Sequence, residues 1–185
     1  MITAADINYT EEPFENLSVT DIHSLAAGDI LIWCSGSGAG GNRNNGTYYI
    51  LLDDGKGHCK YLEGDVPGAS PNQAMLDGAA EAVGMIKKPS GIRLISACPL
   101  GFRAGFRGKG PNADRVQKLL GQVKQKGHSL SFSLADADVI KGIEAQYKTM
   151  VGFFKAEDMG ILEVVGDENQ SEAALKKAEM LGAKV

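Results

Sequence analysis

The run Asp29-Ile30-Leu31-Ile32-Trp33-Cys34 constrains this chain most. Consecutive apolar residues suit a central strand covered on both faces, whereas a half-wet strand would alternate. Behind it stand Ser35-Gly36-Ser37, glycines at 38, 40 and 41, and then Asn42-Arg43-Asn44-Asn45-Gly46. This is loop chemistry, and Asn45-Gly46 is a strong hairpin-turn signal. Thr47 to Leu52 is rich in β-formers, Asp53-Asp54-Gly55 makes another turn, and His58 to Glu63 reads as a third strand. Two hairpins in succession predict three antiparallel strands.

Helices enter after that. Ser70 is placed to cap a helix whose first turn holds Pro71, a position where the missing N–H costs nothing. Met75, Ala79, Ala82, Val83 and Ile86 share one side of the segment Asn72 to Lys87, which Pro89-Ser90-Gly91 stops. Ile92 to Ala97 is a fourth strand, reached through a helix and so expected parallel to the first. Residues 99–110 hold Pro99 and four glycines, which predicts a short helix or irregular segment. Asn112 is a good cap for a helix from Ala113 to Lys126 with Val116, Leu119, Leu120 and Val123 facing inward. Leu130 to Leu134 alternates and reads as a fifth, half-exposed strand. Asp136 or Asp138 caps a further helix to about Met150.

The ends read differently. Residues 1–18 lack periodicity and are expected to form an extended arm, with Ser18 or Thr20 capping a short helix to Ala27. Residues 161–165 suit a strand. Ser171 to Leu181 suits a polar helix with a short apolar stripe (Ala174, Leu175, Ala178, Leu181). The division expected is an arm and short helix over 1–28, a domain over 29–152 and an extension over 153–185.

Composition excludes several classes. A net charge of −4 means that the whole molecule is not an electrostatic nucleic-acid binder. Three cysteines (34, 59 and 98) without a Cys-x-x-Cys spacing argue against a disulfide framework or a zinc site. No apolar run is long enough to span a membrane. Asp6, Glu11 and Glu12 stand where a signal peptide would be basic. An intracellular, reducing, cytoplasmic setting is the expectation.

The order of elements, βββαβαβα, resembles the ribonuclease H fold, a mixed five-stranded α/β sheet. The family opens on a strand ending in Thr-Asp-Gly-Ser before a glycine-rich turn; Cys34-Ser35-Gly36-Ser37 is similar. Its first helix opens on a Thr-Asn-Asn turn and carries a glutamate. Ser70-Pro71-Asn72-Gln73-Ala74-Met75 is similar, with Met75 at the acid's place. Its fourth strand runs into Ser-Thr-Asp-Ser, and Ser96-Ala97-Cys98-Pro99 is similar, with Cys98 for the aspartate. Arg103-Ala104-Gly105-Phe106 continues the match. A fourth acid belongs near Ile143. The likeness covers about residues 29–152.

The resemblance implies two-metal phosphodiester cleavage, in which two Mg²⁺ ions flank the phosphate. Mg²⁺ wants hard oxygen ligands, and the family supplies four carboxylates. Ser35, Met75, Cys98 and Ile143 supply none. Methionine and cysteine are soft ligands, and two close dications would lack compensating charge. No metal site, no cofactor and no hydrolysis are expected. Asp77 lies two residues past Met75, about 200° around the helix, and should point away. Asp138 or Glu144 could stand in at the last helix, but one carboxylate does not restore the site.

Other signals compete. Gly36-x-Gly38-x-x-Gly41 matches the dinucleotide fingerprint, but a strand and not a helix follows it. Cys34 reads as a small core hydrophobe. His23 and His58 have no partner spacing, and His128 reads as a solvated turn residue. The stretch from Arg103 to Lys126 holds seven basic residues (103, 107, 109, 115, 118, 124, 126) against Asp114 alone. With Arg43 and Asn72 near the same mouth, Arg103, Arg107, Lys109, Arg115 and Lys118 are the candidates for contacting a partner or nucleic acid.

The expected function is that of a non-catalytic, ribonuclease H-like adaptor acting through protein contacts. Degenerate folds of this kind resemble parts of larger assemblies, including viral ones. Two other classes stay open: a nucleic-acid binder using residues 103–126, and a nuclease with displaced carboxylates.

Overall fold

A computed structural model describes residues 1–11, 29–38, 45–55, 59–143 and 145. Its centre is the apolar run, strand β2 (Asp29–Gly38). Around it lie β1 (Thr10–Glu11), β3 (Asn45–Asp53), β4 (Cys59–Pro67), β5 (Gly91–Ser96) and β6 (Ser129–Leu134). The six-stranded sheet has the order β1-β6-β5-β2-β3-β4. β3 is antiparallel to β2 and β4, whereas β5 is parallel to β2 and β6. The protein is therefore an α/β structure built on a mixed sheet.

Helices cover both faces. α1 (Pro71–Met85), α2 (Phe102–Gly105) and α3 (Ala113–Gln125) follow β4 and β5. A further helix, α4, begins at residue 137 and is described through 143. Ser70 caps α1 as its sequence predicts: its hydroxyl accepts from the Gln73 N–H at 3.2 Å, and the Gln73 side chain accepts from the Ser70 N–H at 3.0 Å.

The pleat of β2 explains its continuous apolar run. Ile32 and Cys34 enter one core with Leu76, Val83, Leu119 and Leu120 of α1 and α3. Leu31 and Trp33 enter a second core with Ile95, Ile140 and Ile143. Alternate side chains point to opposite faces, so a strand sandwiched between helices has no wet face to mark with polar residues.

The structure corrects four expectations. The sheet has six strands and not five, because the arm turns through a 3₁₀ segment (Ala4–Ile7) and adds Thr10 and Glu11 beside Ser131 and Phe132 of β6. Asn45 and Gly46 are not the hairpin turn; they lie inside β3, with Gly46 opposite Gly38 and Val66. Gly46 is there for space: a Cβ would stand 2.6 Å from the Ser70 carbonyl oxygen, where α1 starts. β4 runs past Glu63 to Pro67. His128 is buried, 4% exposed, and not a solvated turn residue. The expected short helix ending at Ala27, the strand over 161–165 and the helix over 171–181 lie outside the described residues.

Candidate functional site

The four candidate positions Ser35, Met75, Cys98 and Ile143 come from four elements: β2, α1, the turn after β5, and α4. Two of them fall on each face of the sheet. Ser35 stands opposite Tyr49 in the β2–β3 register. With Trp33, Tyr49, Leu51, Tyr61, Ile140 and Ile143 it lines a narrow crevice of about 20 Å³. That volume holds roughly one water.

Met75 and Cys98 sit on the other face. Met75 is 3% exposed and packs in the α1 core. Its thioether lies 3.9 Å from the Ser96 hydroxyl, and that hydroxyl accepts the Cys98 N–H at 3.2 Å. Gly36 makes room for Met75, since a Cβ there would meet its Cγ at 2.9 Å. Each of these contacts seats Met75 as a core plug. Cys34 is on this face too, 1% exposed, with its thiol pushed well above the ordinary range by burial. A neutral, enclosed thiol is not a nucleophile.

Acids do not gather here by another route. Asp77 points away, as its helical position predicts, and receives Arg115 Nε at 3.2 Å on both carboxylate oxygens. Among the described residues no three His, Cys, Asp or Glu side chains converge into a group that could hold a metal ion. Asp138 is in the first turn of α4. Glu144 and Arg43 lie outside the described residues. Asn72 is half-buried in the first turn of α1.

The basic stretch is largely engaged within the fold. Arg103 forms a two-nitrogen contact with Glu11, at 2.9 and 2.6 Å. Arg115 holds Asp77, and Lys124 lies 3.7 Å from Asp6. Lys126 donates to the Ile86 carbonyl at 3.1 Å and to that of Gly84, and so neutralises the C-terminal end of α1. Arg107, Lys109 and Lys118 are exposed and make no contact of this kind among the described residues.

Sequence reasoning missed the acidic partners, because Asp6 and Glu11 are 118 and 92 positions from the cations they face and no local spacing joins them. It also missed Tyr9, whose ring packs edge-on against Phe106 at 4.7 Å and tilted against Phe102 at 5.6 Å. No disulfide joins Cys34, Cys59 and Cys98. No helix among the described residues is long and apolar enough to cross a membrane. Compared with known proteins, the chain matches no family model and no curated sequence.

Proposed function

We propose that this protein is a catalytically silent, ribonuclease H-like domain that works as an intracellular binding or adaptor module, mainly through protein contacts. The strand order supports the fold reading. Omitting the β1 edge, the strands run third-second-first-fourth-fifth in chain order, with only the second reversed. Helices that follow the third and fourth strands cover one face, and the helix that follows the fifth covers the other. This resembles the family's arrangement.

One observation carries the functional reading. Where the family would place carboxylates, Met75 and Ile143 are 3% and 4% exposed and packed into two separate apolar cores. Groups committed to packing hold the scaffold rather than a substrate. A scaffold kept rigid without its acids serves through its surface.

The test is a cleavage assay on duplex, hybrid and branched substrates with Mg²⁺ and Mn²⁺, beside affinity capture from native cells. The expected outcome is no cleavage and a specific protein partner. Metal-dependent cleavage that disappears in Asp138→Asn or Glu144→Gln would overturn the reading in favour of a nuclease with displaced acids. A second reading, nucleic-acid binding without cleavage, is favoured only by the three outward cations Arg107, Lys109 and Lys118.

A further inference from the structure

Residues 7–11 occupy a groove formed by α2, α3 and the free side of β6. Ile7 is 2% exposed and enters the main core. Tyr9 packs on Phe102 and Phe106, and Phe102 in turn packs on Phe132 of β6 at 5.1 Å. Glu11 takes the Arg103 guanidinium. Thr10 and Glu11 pair in parallel with Ser131 and Phe132. Upstream, Gln117 holds Ile2 by both its N–H (2.9 Å) and its carbonyl (3.1 Å).

Thr10 and Glu11 add a short strand at a sheet edge, entered from the 3₁₀ turn that Ile7 ends and from Asn8 in the left-handed region (φ 50°). Main-chain pairing gives affinity, and pockets for alternate side chains give specificity. Here the alternate residues are Ile7, Tyr9 and Glu11: an apolar plug, an aromatic ring and an acid. We propose that this groove is a peptide-recognition site, held in cis by residues 7–11, which takes in trans a partner segment of the pattern apolar-x-aromatic-x-acid that leaves a tight turn at its apolar residue and ends in a short strand. This deepens the adaptor reading and rests on it.

The end of the cis segment, Thr10 and Glu11, is exposed. Of the arm residues 1–11 only Ile7 is buried. The Arg103 side chain is 83% exposed, and an exposed ion pair contributes little. The charge is complementary, since Arg103 stands where the acid arrives. What favours the cis segment is its high effective concentration. A free peptide therefore binds the wild-type chain weakly and binds well only when the arm is weakened.

The test uses a fluorescein-labelled peptide copying residues 2–12 and the full-length chain. Anisotropy should show at least tenfold tighter binding to Tyr9→Ala than to wild type. That gain should vanish when Arg103→Glu is added, or when the peptide's tyrosine is replaced by alanine. Glu11→Lys removes the acceptor of both Arg103 and the Tyr9 hydroxyl while keeping the ring itself, and should give the same gain if Tyr9→Ala does not fold. Failure of the peptide to bind folded forms of both variants overturns the proposal. So does a concentration-dependent dimer of the wild-type chain that Tyr9→Ala abolishes, since the occupant is then a second copy's arm. A native partner that binds wild type and Arg103→Glu equally overturns this site and leaves the adaptor reading standing.

Discussion

Met75 of α1 and Ser96 of β5 meet thioether to hydroxyl at 3.9 Å, and Ser96 in turn accepts the Cys98 N–H at 3.2 Å. Ser96 is fully buried. This chain of contacts is closed to solvent at both Met75 and Ser96. The hydroxyl spends its acceptor on its own backbone, and the sulfur fills the space above it.

Placing an acid at Met75 should therefore damage the protein and create no metal site. Met75→Glu puts a carboxyl into a site that is 3% exposed. Burial raises a carboxyl pKa by up to about 3–5 units, so the acid stays largely protonated at pH 7 and the linked loss there is about 3–4 kcal/mol. The loss should shrink as pH falls and the carboxyl is protonated. Urea denaturation at pH 7 and pH 5, with and without Mg²⁺, checks this. Mg²⁺ should leave the midpoint unchanged; a midpoint that rises with Mg²⁺ would mean that a metal site assembles.

Two glycines of α1 should respond in opposite directions to the same substitution. Alanine favours a helix interior over glycine by about 1 kcal/mol. At Gly84 nothing lies within 4 Å of an added Cβ, so Gly84→Ala should stabilise by about 0.5–1 kcal/mol. At Gly78 the added Cβ would stand 2.5 Å from the Tyr48 ring. The ring cannot withdraw easily, because its hydroxyl donates to Glu81 and its other side faces Gly64. Gly78→Ala should destabilise by about 1–3 kcal/mol in spite of the propensity gain. Thermal melts of the two variants side by side decide it.

His128 makes the fold acid-sensitive. Its Nδ1 accepts the Ser90 N–H at 3.0 Å, so the ring must be neutral to hold the start of β5. Burial lowers its pKa below the ordinary histidine value, the Lys126 ammonium lowers it further, and the Ile86 carbonyl opposes them weakly. A depressed folded pKa means that the unfolded chain binds the proton more readily. The stabilisation is complete above the ordinary value, about 6.5, and is lost as pH falls through the folded one. The denaturation midpoint of wild type should drop from pH 7 to pH 5 by more than that of His128→Gln. Equal drops would remove His128 from the account.

What the sequence disclosed was governed by the range of the interaction. The Ser70 cap, the Pro71 first turn and the inward stripe of α3 are local, and their residues announce them. The β2 run announced burial on both faces because no polar residue interrupts it. The Asn45-Gly46 pair misled, since its turn propensity lost to the close approach of α1, a contact made across some 25 positions. His128 misled because a histidine after a glycine reads as a turn until Ser90, 38 positions away, donates to it. At the candidate site Ser35, Met75, Cys98 and Ile143 were legible one by one. That they split into two pairs on opposite faces was not, because α4 and α1 reach the sheet from opposite sides.

The basic stretch tests how far charge counting can be trusted. A phosphate contact releases counterions, and the affinity for duplex DNA falls with salt at a slope of about −0.9 per contact. Seven cations in the segment would give a slope near −6. In the fold Arg103, Arg115 and Lys124 face acids, and Lys126 faces the carbonyls that end α1. Only Arg107, Lys109 and Lys118 remain outward and without such contacts among the described residues, which limits the slope to about −2.7. The full-length chain should bind a short duplex weakly in low salt and lose it by physiological salt. The triple variant Arg107→Glu, Lys109→Glu, Lys118→Glu should abolish what is left, whereas Lys126→Gln should lower thermal stability with little effect on binding. A slope steeper than about −4 would mean that the internal pairs open to phosphate, and nucleic-acid binding would then displace protein contact as the leading account of this surface.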